Sequence, residues 1–125
     1  MKLIAIALGG ALGALGRYAM ATLSARLFAG ALAGTLFVNV LGSGAFGYLA
    51  GGFLSQREAG SGSPSSVEVF LLVGFLGAFT TFSTFAAQTV TLFEERGFGA
   101  ACLNVAAHNL LSIAAAWGGW RLAQG

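Results

Sequence analysis

The sequence predicts an all-α membrane protein of four transmembrane helices, and three observations predict it. Of the 125 residues, 57% are apolar and only 8% are charged, against roughly 25% charged in soluble domains. The few charges sit in short clusters, leaving four long uncharged or nearly uncharged stretches, approximately residues 3–28, 31–54, 67–93 and 98–122. Each exceeds the ~20 residues a helix needs to cross about 30 Å of hydrocarbon. Together they form a single four-helix transmembrane domain over residues 1–125, with almost nothing left for a soluble domain.

The first span follows Lys2 and resembles a secretory signal only in its first residues. A cleavable signal has an apolar region of about 7–15 residues before a mature domain; this run is longer and further spans follow, so it reads as a retained helix. Arg17 interrupts it about fourteen residues in. Arginine stays charged in proteins, so at depth it needs an anion, a carbonyl or a route to the interface. In each case its field is positive and draws anions towards a vestibule. Gly9 and Gly13 are four apart, which places small residues on one face for close helix packing. The first connector, around Arg26 to Gly30, is tight.

The second span carries Asn39 about midway, in GTLFVNVLGSG, with Thr35 one turn before it on the same face. The Asn39 amide offers two N–H donors to an anion without imposing a full opposing charge; an interhelical hydrogen bond is the other reading. Gly30 and Gly34, and Gly47 and Gly51, repeat the four-residue spacing. The second connector, SQREAGSGSPSS from Ser55 to Ser66, holds the only proline and belongs in water.

The third span is the least ordinary. Its centre, GFLGAFTTFSTF from Gly74 to Phe85, packs two glycines and four hydroxyl residues into twelve positions. Glycine and threonine lower helix propensity, and hydroxyls bond backbone carbonyls instead. A helix break is expected near this centre. Irregular backbone at membrane depth is tolerated only where protein or water surrounds it, and such places often hold ions. Phe82 and Phe85 share a face beside Ser83 and Thr84. Their ring edges are partly positive and can line an anion's path; packing or lipid contact is the plainer alternative. A charged turn, Glu94-Glu95-Arg96-Gly97, ends the span.

In the fourth span Asn104, His108 and Ser112 recur at i, i+4 and i+8, a polar stripe on an apolar helix with Asn109 beside it. With no second histidine and no available cysteine or acid nearby, hydrogen bonding inside the bundle is a better reading of His108 than metal binding. Trp117 and Trp120 suit an interfacial belt. Cys102 is the only cysteine and reads as a packing residue.

The pattern of charge excludes several functions. All four acids, Glu58, Glu68, Glu94 and Glu95, lie in connectors or at span ends. A small proton-coupled multidrug exporter of four helices, the main rival reading, needs a membrane-embedded carboxylate. The net charge of +2 forms no basic patch for nucleic acid, and no nucleophile–base set points to an enzyme. Basic residues divide almost evenly: Lys2, Arg57 and Arg121 on one side, Arg26 and Arg96 on the other. So weak a bias is compatible with insertion in both orientations and an antiparallel homodimer, and also with noise in a small count.

The segments GGALGALGRY (Gly9 to Tyr18), GTLFVNVLGSGAFG (Gly34 to Gly47) and GFLGAFTTFSTF (Gly74 to Phe85) resemble the Fluc/CrcB fluoride channels. The resemblance spans all four helices. It implies an antiparallel dual-topology homodimer in the cell (inner) membrane, with two pores that passively export toxic fluoride. It further implies a structural Na⁺ on the dimer axis, held by the backbone carbonyls of Gly77 and Thr80. Pore roles fall to Asn39, Thr35, Phe82, Phe85 and Ser112, and the vestibule role to Arg17. The chain departs from the family's pattern at His108, where a small polar residue or asparagine is usual, and a histidine there opens the way to altered or pH-sensitive conductance.

Overall fold

A computed structural model of the chain describes residues 1–28, 30–58 and 63–125; the middle of the Ser55–Ser66 connector and the side chains of Arg57 and Glu58 lie outside the described residues. Four helical spans cross the molecule. The first two are α1 (Lys2–Leu27) and α2 (Ala31–Glu58). The third is split into α3, residues 66–79, and α4 (Phe82–Arg96), and the fourth is α5 (Phe98–Gln124). Each of the four is long and apolar enough to cross a membrane.

Local chemistry sets the ends. Ser65 caps α3 by accepting a hydrogen bond from the Glu68 amide at 3.1 Å. Gly97 closes α4: its amide donates to the Phe93 carbonyl at 2.9 Å, and its φ of 83° lies in the left-handed region open to glycine. The same residue starts α5, so the third connector is a single glycine.

α3 is mostly not an α-helix. Val69–Leu76 forms a π-helical stretch between the short α-turns Ser66–Glu68 and Gly77–Phe79. π-helix is rare and usually occurs as a single turn; here packing accompanies it. The Gly9 and Gly13 face of α1 lies directly on the α3 backbone. A Cβ at Gly9 would stand 2.5 Å from the Phe70 carbonyl oxygen, and one at Gly13 would overlap the Phe75 carbonyl. Glycine packing also draws α2 onto α5. A Cβ at Gly47 would overlap the Ala116 carbonyl, and one at Gly119 the Gly44 carbonyl. Gly34 approaches α1, with the Ala21 carbonyl oxygen 2.6 Å from where its Cβ would sit, whereas Gly30 has open space around it and a φ of 149°. The four-residue glycine spacing therefore marks packing at Gly9, Gly13, Gly34, Gly47 and Gly51, and a turn at Gly30. These two tight pairs, α1 on α3 and α2 on α5, hold the third span's break between them.

Candidate functional site

The break is two residues long. Thr80 (φ −80°, ψ 158°) and Thr81 (φ −148°, ψ 107°) are both extended. Extension takes the helical donors away from the last carbonyls of α3 and the helical acceptors away from the first amides of α4. The amide of Thr80 still reaches back to the Leu76 carbonyl at 3.1 Å, as does its hydroxyl, also at 3.1 Å. The amide of Thr81 does not reach the Gly77 carbonyl, its partner in a continuous helix.

It is caught by Asn39 instead. Thr81 N–H donates to Asn39 Oδ1 at 2.8 Å, and Asn39 Nδ2 donates to the Thr81 carbonyl at 3.1 Å. One α2 side chain thus satisfies both backbone groups of a residue 42 positions away. Thr81, 8% exposed, repays the arrangement locally. Its hydroxyl accepts from the Thr84 amide at 3.3 Å, capping α4, and lies 2.9 Å from the Thr84 hydroxyl and 3.4 Å from that of Ser83. Asn39 keeps one N–H uncommitted.

An open cavity of about 320 Å³ lies against the break. α2 contributes Asn39, Gly42, Ser43 and Phe46; the break and α4 contribute Thr80, Thr81, Phe82 and Phe85; α5 contributes His108, Asn109, Ser112, Ile113 and Ala116. The rings of Phe82 and Phe85 meet edge-on, with centroids 5.3 Å apart and planes at 62°. Phe82 is 76% exposed, while Phe85 is buried and its ring lies 4.6 Å from that of His108. The cavity presents uncharged polar groups and aromatic edges at membrane depth, with no carboxylate in its lining.

The structure brings only some of the predicted site residues together. Asn39, Phe82, Phe85, His108 and Ser112 line this cavity, as does Thr80. Thr35 and Thr84 line a second pocket with Tyr18, Thr22, Arg26 and Gln88. There Gln88 Nε2 donates to the Thr35 hydroxyl at 2.9 Å and to the Ala31 carbonyl at 3.2 Å. Asn104 lies behind the cavity: its Nδ2 donates to the Thr89 hydroxyl at 2.8 Å, which in turn donates to the Phe85 carbonyl at 2.8 Å. Ser83 is exposed beside the Thr81 cap. Arg17 is half-buried on α1 and lines neither pocket; Arg26 is the arginine beside Thr35 and Gln88. Gly77 is exposed near the end of α3, with only the Leu72 carbonyl oxygen, 3.6 Å away, close to where its Cβ would sit.

Sequence reasoning passed over three participants. Ser43 is one turn beyond Asn39, so Thr35, Asn39 and Ser43 form an i, i+4, i+8 stripe on α2 that matches the one on α5. Gln88 is an amide inside an apolar span, which is itself a signal. Thr81 was legible only as one hydroxyl among four, since its backbone role depends on the distant Asn39.

A family model described as CrcB-like protein, Camphor Resistance (CrcB), matches residues 4–120. A fluoride-specific ion channel FluC of Methylococcus capsulatus is 45% identical over 125 residues, 99% of this chain. The chain spans about half of that relative, 53% of its length. FluC of Paracoccus denitrificans is 42% identical over 96% of this chain and 92% of its own length, and FluC of Vibrio parahaemolyticus 43% identical over 94% and 90%.

Proposed function

This chain belongs to the CrcB family, and on that premise we propose that it is a fluoride-selective channel, passing the ion passively along the cavity beside the broken third span. The observation that carries the reading is the pairing of Asn39 with Thr81, which holds irregular backbone open against a polar, acid-free cavity at membrane depth. Lipid cannot face such a surface, because unsatisfied backbone and amide groups are costly in hydrocarbon.

A second copy of the chain is the natural cover. The cavity is open, Phe82 stands 76% exposed at its edge, and Gly77 is exposed nearby. Two copies, inserted in opposite orientations as the even split of basic residues allows, would close each cavity with the other's surface and make two pores. Fluoride is small and strongly hydrated, so the pore must replace much of its water. The uncommitted N–H of Asn39, the hydroxyls of Ser43 and Ser112 and the ring edges of Phe82 and Phe85 supply partial positive charge for that purpose. Arg17 and Arg26 add a positive field towards the approaches. A larger halide gains less from donors spaced for a small ion, which is the basis of selectivity against chloride.

The break also fits the structural Na⁺ of the resemblance. Gly77 and Thr80 present carbonyls that extended backbone has released from the helix ladder, and carbonyl oxygens suit a hard cation. Two carbonyls from each of two copies would hold it, and the ion would supply fixed positive charge at the membrane centre. The chain's own residues do the remaining work: they seat the ion, exclude wider ones and fix the break.

The test is fluoride efflux from proteoliposomes, read with a fluoride electrode and compared with chloride, without a proton gradient. Passive fluoride release well above that of empty vesicles, with chloride retained, is expected. Vesicles that hold fluoride as tightly as protein-free ones would overturn the reading.

A further inference from the structure

His108 is the one titratable residue lining the cavity, and its hydrogen bonding assigns its two nitrogens different duties. Nδ1 lies 3.1 Å from the Asn104 carbonyl oxygen, one turn back on the same helix. A carbonyl only accepts, so Nδ1 carries a proton. His108 borders the cavity, and its other ring nitrogen, Nε2, is buried without any hydrogen-bond partner. The residue is only 5% exposed, held by the Phe85 ring 4.6 Å away.

This geometry has a consequence for an anion. A neutral ring with its proton on Nδ1 presents a lone pair at Nε2, which repels fluoride. Only the imidazolium presents an Nε2–H donor. The neighbours offer no rival charge: α2 brings Asn39 and Ser43, the break and α4 bring Thr80, Thr81, Phe82 and Phe85, and α5 brings Asn109 and Ser112. None of these titrates in the ordinary range.

We propose that His108 contacts the conducted fluoride only in its imidazolium form, so that a proton taken from water and the ion occupy the cavity together. The proposal rests on the fluoride reading above and adds to it a proton-dependent site. The sign is fixed by the donor count. Conduction rises as pH falls, because protonation replaces a repelling lone pair with a donor. By linkage, fluoride in turn makes the ring easier to protonate.

Two measurements on the full-length protein test this. In the first, potassium fluoride efflux from proteoliposomes is followed between pH 8 and pH 6, with protein-free vesicles subtracted at each pH to remove leakage of HF. Efflux through the native protein should rise about threefold or more over that range. His108→Asn, whose amide keeps an N–H donor at every pH, should give a flat profile, and His108→Gln serves if the asparagine variant does not fold. A native profile that is flat while fluoride still flows would overturn the proposal and leave the channel reading standing. A pH rise that persists in the variants would overturn it too.

The second measurement does not depend on flux. The chain has a single histidine, so ¹⁵N-histidine labelling reports this ring alone. The pH at which it titrates should move upward on adding sodium fluoride and stay put with sodium chloride. A midpoint unmoved by fluoride would refute the site even if vesicles conduct, and a fluoride-specific shift would support it even if no efflux is found, the result that overturns the channel reading instead.

Discussion

Removing the Asn39 side chain is expected to loosen the third span at its break, and the size of the effect follows from the two bonds it makes. Asn39→Ala deletes the acceptor of the Thr81 amide (2.8 Å) and the donor to the Thr81 carbonyl (3.1 Å). Interhelical hydrogen bonds in membrane proteins average only about 0.6 kcal/mol each. The orphaned amide matters more, because Thr81 is 8% exposed and its helical acceptor is out of reach; leaving a buried N–H unsatisfied costs about 1–3 kcal/mol. The combined loss is therefore about 2–3 kcal/mol, or roughly a 30- to 150-fold shift in the folding equilibrium. Unfolding of purified protein in detergent, at one fixed protein concentration, measures it. Asn109→Ala is the control: this exposed side chain bonds only the Val105 carbonyl of its own helix, and its loss should stay within about 0.5 kcal/mol. If Asn39→Ala is as mild as Asn109→Ala, the break is not braced from α2 and the reasoning fails.

Asn39→Asp should retain the acceptor for the Thr81 amide but turn a carboxylate oxygen towards the Thr81 carbonyl and place negative charge in the cavity, so fluoride efflux should be abolished; sustained flux would refute the assigned path. Phe82→Ile should lower efflux by up to about tenfold, the equivalent of the ~1.4 kcal/mol a ring contact can supply, with little change in thermal stability since the ring is largely exposed. Unaltered efflux would remove that ring from the pore. Gly13→Ala should destabilise by about 1–3 kcal/mol through overlap with the Phe75 backbone, whereas Gly10→Ala, with open space around it, should leave the melting temperature in detergent unchanged. Equal melting temperatures for the two variants would contradict the α1–α3 packing. Excluding sodium from purification and reconstitution should reduce fluoride efflux, and full activity in rigorously sodium-free buffers would argue against a cation at Gly77 and Thr80.

Much of the architecture was readable from residue types because the bilayer imposes it. Four apolar stretches of sufficient length can only be helices, and Gly74 to Phe85 holds too many glycines and hydroxyls to stay continuous. The position of the break was legible to within a few residues for the same reason. Its brace was not: the bond between Asn39 and Thr81 joins residues 42 apart, and no local propensity encodes a partner at that distance. The π-helical form of Val69–Leu76 was also hidden, because it accompanies the seating of Gly9 and Gly13 on the Phe70 and Phe75 carbonyls. The two sides of the candidate site differed in the same way. The α5 stripe was visible as a period, and the α2 stripe needed only one more turn, to Ser43. That Thr35 and Thr84 belong with Gln88 in a separate pocket follows from helix rotation, which spacing alone does not set.

Asn39 recognises main chain, not side chain, at position 81, and this makes the two positions unequal under mutation. Swapping the amide cannot be rescued by any compensating replacement at 81, since every residue there except proline offers the same N–H and C=O. Position 81 itself can vary freely as far as this clasp is concerned, and is held to threonine or serine only by the need to cap α4. A saturation library scored for fluoride resistance should accordingly show a nearly blank column at 39 and a permissive one, favouring small hydroxyls, at 81.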